Sequence, residues 1–128
     1  MRLSPARIDD VWPKIRPHLD QLVGEDLTPD EVLEECRADR MFCFANSEAA
    51  LLFKVEANRA CTAVELLIYL AISFGPLGSY EHYMPQVEEI AREAGADKIV
   101  FYSRRAGWQR RLGPEWRLRR AWYERDAK

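Results

Sequence analysis

Seven consecutive apolar residues, Leu66-Leu67-Ile68-Tyr69-Leu70-Ala71-Ile72, run through the middle of the chain with no charge or glycine to interrupt them. The run is far too short to span a membrane. It fits a strand, Ala63 to Ile72, that is covered on both faces. Such a strand needs a layer above it and a layer below, so the remaining chain must supply helices for two sides of one sheet.

The flanking residues supply them. Asp9 and Asp10 can cap a first helix whose Trp12, Ile15, Leu19 and Leu22 recur at helical spacing. Pro17 falls in its interior, where it removes a hydrogen bond, so a kinked or divided helix is expected. Thr28-Pro29-Asp30-Glu31 announces a second helix, with an N-cap, a proline in the first turn and an acid at the capping-box position. Val32, Leu33 and Cys36 then face inward. Met41 to Ala45 and Ala49 to Glu56 read as strands around a polar Asn46-Ser47-Glu48 turn. Gly75, Pro76 and Gly78 break the chain after the apolar run. Tyr83, Val87, Ile90, Ala91 and Ala94 mark a further helix that Gly95 ends. Lys98 to Tyr102 is a short strand, Ala106 to Leu112 a brief helix, and Glu115 to Tyr123 a final strand. The order implies an α+β (mixed α/β) fold with helices on both faces of a mostly antiparallel twisted sheet, in a single domain over residues 1–128.

Composition enters through what it excludes. About half of the 128 residues are apolar, which argues against disorder. The formal net charge of -2 disfavours a generally basic nucleic-acid binder. That mean hides an acidic first half and a basic end, where eight arginines lie between Arg104 and Arg125. Trp108, Trp116 and Trp122 with the arginines could form an aromatic-basic face, and Arg117, Arg119 and Trp122 on the terminal strand are the residues expected to meet a protein partner, because Trp and Arg anchor interfaces. The same strand could pair across a dimer, since an edge presents unused backbone groups. Cys36, Cys43 and Cys61 have no metal-ligand spacing, and each reads as a small buried hydrophobe in a reduced interior. His18 and His82 stand without an evident catalytic partner. No apolar signal core and no membrane-length run occurs, so the expected location is cytoplasmic.

The order of elements, and the residues after Val64, resemble the GCN5-related N-acetyltransferase (GNAT) family. The buried strand Leu66–Ile72, the turn Gly75–Ser79, and Ala91-Arg92-Glu93-Ala94-Gly95-Ala96 before the strand at Lys98 match that family's central motifs. Ala106-Gly107-Trp108-Gln109-Arg110-Arg111-Leu112-Gly113 resembles its short helix. The resemblance implies acetyl-coenzyme A binding by Ile72, Ser73, Gly75, Gly78 and Ser79, with Glu65 as the general base for an amine. A turn of this kind offers backbone N–H groups and a helix N-terminus to a pyrophosphate. In this chain Pro76 removes one donor, and no Lys or Arg occurs from Ala60 to Ala91. The family's acid, often a Tyr, falls on Gln109, which cannot deliver a titratable proton near neutral pH. Two functions follow as expectations. One is a catalytically degenerate GNAT-fold protein acting through protein contacts, with a loose resemblance to small GNAT-like phage and prophage proteins that would place it in the virion. The other is an acetyl-coenzyme A-dependent N-acyltransferase acting on a small-molecule or protein amine.

Overall fold

The computed structural model describes residues 2–22, 28–74, 80–101, 114–117 and 125–127. Its sheet is built from β1 (Ser4–Pro5), β2 (Phe42–Ala45), β3 (Ala49–Ala57), β4 (Val64–Ser73) and β5 (Lys98–Phe101), in that spatial order. The first four strands pair antiparallel, while β5 runs parallel to β4. Helices α1 (Ile8–Leu22) and α2 (Pro29–Arg37) precede β2, and α3 (Tyr80–Glu93) connects β4 to β5. A parallel pair needs such a crossover, because a tight hairpin cannot reverse the chain twice.

Each face of the sheet carries its own core. Ile8, Ile15, Leu19, Val32 and Cys36 from α1 and α2 pack on Cys43, Ala45, Ala50, Leu52, Leu70 and Ile72. On the opposite face, Tyr83, Val87 and Ala91 of α3 pack on Ala49, Leu51, Phe53, Leu66 and Ile68. The apolar run therefore reads as expected, because β4 is sandwiched between helical layers. Its side chains do not simply alternate. The β3–β4 register steps from Leu52↔Leu70 to Phe53↔Ile68, which leaves Tyr69 as an extra residue on β4. Such a bulge turns two successive residues to one face. Tyr69 and Leu70 accordingly both pack on the α1–α2 side, whereas Leu66 and Ile68 lie on the α3 side.

The helix ends follow from local chemistry. Thr28 is extended (φ -87°, ψ 159°), and its hydroxyl accepts the Glu31 N–H at 3.2 Å. Gly95 takes a left-handed φ of 73° just beyond α3, a conformation that costs other residues a steric penalty. Three expectations need correction. Helix α1 is continuous from Ile8 to Leu22 and is not divided at Pro17. Pro13 and Pro17 both point to solvent, where water can satisfy the carbonyls they leave unbonded, while buried Ile15 and Leu19 hold the other side. Cys61 is exposed, in the β3–β4 turn with φ 56°, so it is no core residue. Pro114 and Glu115 form a turn and residues 116–117 are not in a strand, so no strand starts at Glu115. The brief helix at 106–112 and the rest of that final strand lie outside the described residues. The two-residue β1 is an element that the sequence pattern does not announce.

Candidate functional site

The C-terminal end of β4 meets the β2–β3 turn. Ser73 pairs with Ala49, and the Phe74 N–H donates to the Glu48 carbonyl at 2.7 Å, which carries the pairing one residue past the strand. Asn46 builds the turn. Its Oδ1 accepts the N–H groups of Glu48 (2.7 Å) and Ala49 (2.9 Å), and its Nδ2 donates to the Tyr83 hydroxyl at 3.1 Å. That bond ties the turn to α3 less than one helical turn from its start at Tyr80. The end of β4, the β2–β3 turn and the beginning of α3 thus form one corner of the molecule. Among the residues expected to hold a cofactor, Ile72 is buried in the α1–α2 core and Ser73 is exposed at this corner. Gly75, Gly78 and Ser79 lie outside the described residues.

Glu65 sits at the other end of the same strand. It is buried (5% exposed), it has an interaction partner, and it faces Glu56 on β3 and Lys98 on β5 in the register. Eight residue steps separate it from Ser73, roughly 25 Å of strand. Only an extended ligand could touch both. Strand alternation places Glu65 and Leu67 opposite Leu66 and Ile68, on the face that also carries α1 and α2.

Between these ends lies a group that the sequence does not reveal. Lys54 of β3, with its side chain 17% exposed, holds its ammonium 5.6 Å above the centre of the Tyr69 ring. The same Nζ is 3.7 Å from Glu35 Oε2 of α2, and Arg40 Nε donates to that oxygen at 2.6 Å. The hydrogen bond from Arg40 holds the Glu35 carboxyl below its ordinary range, against a smaller opposing effect of desolvation. Because Tyr69 is the bulge residue, this group joins α2, β3 and the irregular point of β4. Lys54 reads from sequence as the wetter side of an amphipathic strand, and nothing in the pattern pairs it with Glu35.

His18 packs its ring against Phe74 with centroids 5.7 Å apart, and His82 lies edge-on to Tyr83 at 4.8 Å. Both are ring contacts. Arg117 is exposed, while Arg119, Trp122 and Gln109 lie outside the described residues. No group of metal-ligating side chains occurs among the described residues, and no helix there is long and apolar enough to cross a membrane.

The resemblance would put acetyl-coenzyme A along β4 with its pyrophosphate at the corner. The described residues around that corner do not fit a multiply charged anion. Ser73 and Asn46 are neutral, Glu48 is acidic, and Arg2, whose carbonyl accepts from Asn46 Nδ2 at 3.3 Å, has its guanidinium paired with Glu89 at 3.3 Å.

No protein-family model matches the sequence, and no curated protein matches it. Solved structures do match. A probable acetyltransferase superposes with a TM-score of 0.64 at 9% identity, over 100% of this chain and 97% of its own. A possible acetyltransferase from Clostridium difficile 630 gives 0.63 at 11% identity, over 99% and 97%. An acetyltransferase from Trypanosoma brucei gives 0.61 at 14% identity, over 98% of each chain. At these identities the likeness establishes the fold.

Proposed function

We propose, with the GNAT-like fold as the premise, that this chain is a catalytically degenerate member of that architecture and works through protein contacts. The observation that carries the reading is electrostatic. From Ala60 to Ala91 the chain has no Lys or Arg, and that span holds β4, the turn at 75–79 and most of α3. Backbone N–H groups at a helix N-terminus attract an anion, but a pyrophosphate is normally held by cations as well. Pro76 removes one backbone donor from the same turn. Binding capacity is concentrated instead at the basic end, in Arg117, Arg119 and Trp122, whose residue types anchor protein interfaces. The matching loose resemblance is to small accessory or virion-type proteins of phage and prophage.

A second reading has its own support. The acetyltransferase structures align with this chain over 97%, 97% and 98% of their own lengths. On that reading the chain is an acetyl-coenzyme A-dependent N-acyltransferase, with Glu65 as general base for an amine.

Titration with acetyl-coenzyme A, followed by calorimetry and thermal unfolding together, separates the two. We expect no saturable heat and no shift in Tm at millimolar cofactor. Saturable binding would overturn the degenerate reading, because a ligand at a hundredfold excess over its Kd stabilises by roughly 2.7 kcal/mol. In that event Glu65→Gln should lower turnover while leaving cofactor binding intact.

A further inference from the structure

Sheet edges expose backbone donors and acceptors that invite a further strand, and β1 is one edge of this sheet. The direction of its backbone groups can be read from a single bond. The Ala6 N–H donates to the Cys43 carbonyl at 2.9 Å, so Ala6 points toward β2. By strand alternation Ser4 shares that direction, and the backbone groups of Leu3 and Pro5 point outward. Pro5 has no N–H to offer. Leu3 has both groups, and both are taken by one side chain. The Leu3 N–H donates to Gln86 Oε1 at 2.9 Å, and Gln86 Nε2 donates to the Leu3 carbonyl at 2.6 Å. Gln86 belongs to α3 and is only 8% exposed, while Leu3 is itself buried against α3.

We infer that the Gln86 amide stands in for a neighbouring strand, closing the β1 edge and binding β1 and α3 into one unit that opens together. A primary amide presents a donor and an acceptor side by side, as a backbone residue does in a hydrogen-bonded pair. Two neighbouring contacts lie on the same side of the helix, at its turns before and after Gln86. Asn46 Nδ2 donates to the Tyr83 hydroxyl at 3.1 Å and to the Arg2 carbonyl at 3.3 Å, and Arg2 reaches Glu89 at 3.3 Å. The exposed Arg2–Glu89 pair adds little, whereas the buried amide cannot lose its partner without leaving polar groups unsatisfied. A second copy or a partner adding a strand at β1 would therefore find neither Leu3 group available and no N–H at Pro5.

Hydrogen exchange resolved by residue tests this. In the wild type the Leu3 amide should exchange at the rate of Val87 and Ala91. Leu3 exchanging as fast as an unprotected amide while α3 stays protected would overturn the inference without any variant. Gln86→Met, similar in shape but without the amide, should speed Leu3 exchange at least roughly tenfold while β3 and β4 keep their protection. Gln86→Glu keeps an acceptor for the Leu3 N–H and should show a smaller acceleration than Gln86→Met. Equal rates in wild type and Gln86→Met would also overturn the proposal.

Discussion

At the scale of single residues, burial separates the three thiols. Desolvation pushes Cys36 up to about 12 and Cys43 up to about 11, from an ordinary value of 9.0. The attacking species is the thiolate, so both should resist alkylation in the native protein. Iodoacetamide at pH 8 is expected to label exposed Cys61 first and the other two only on unfolding, as mass spectrometry of the labelled peptides would show. The sign of the pH effect follows from the same shifts. A folded-state value above the unfolded one means that the native state holds its protons more tightly. The stability so contributed is complete below about pH 9 and is lost as pH rises through 11 to 12. The Tm of the wild type should accordingly fall toward that of a Cys36→Ala, Cys43→Ala variant as pH rises through that window. Glu65 was legible as a residue of the apolar strand Ala63 to Ile72, but its burial was not, since a glutamate at a strand end is ordinarily exposed.

Elements were read best where the chemistry is local. The start of α2 follows from Thr28, Pro29 and Glu31 alone, and the structure places the Thr28 hydroxyl on the Glu31 N–H. Thr28→Ala should therefore cost about 1 kcal/mol, measured by urea unfolding. An unchanged midpoint would mean that the cap adds nothing beyond the tertiary packing of Val32 and Cys36. Allowing for a division of the helix at Pro17 gave local propensity too much weight. Buried Ile15 and Leu19 flank it and supply what the missing hydrogen bond takes away. Strand β1 was illegible for the opposite reason. It is too short for any pattern, and its edge is completed by Gln86, more than eighty positions away. Gln86 did leave a faint trace, as a polar residue three positions after Tyr83 on the otherwise apolar face of α3. The Lys54–Glu35–Arg40 group left none, because it depends on α2 crossing β3.

On the scale of the whole molecule, the sheet is the partition between two cores. Leu52 is fully buried on the α1–α2 side, and Leu66 is fully buried among the residues packed with α3. Leu52→Ala and Leu66→Ala should each destabilise by about 2–5 kcal/mol, because the cavity cannot collapse against a two-sided packing. If the cores are cooperative, each variant will still melt in a single transition at a lower temperature. A split transition would show that α3 and its face come apart independently. The architecture was legible from one fact: a strand apolar at every position implies cover on both faces. The charge asymmetry was equally legible, although six of the eight arginines lie in residues 102–113 and 118–124, outside the described residues.

The extra residue at Tyr69 explains why that run has to be unbroken. A strand is a wave of period two, and Tyr69 is a phase slip halfway along it. Up to Ile68 the even positions face α3; beyond the slip they face α1 and α2. Neither parity can be given over to polar residues along the full length, because each serves a core in one half of the strand. Keeping Tyr69 but pairing the strand without the slip would force strict alternation through all of its residues. Leu70 and Ile72 would then be sent to the α3 side and Ala71 to the other, so one core would lose two large side chains for a small one while the other was overfilled.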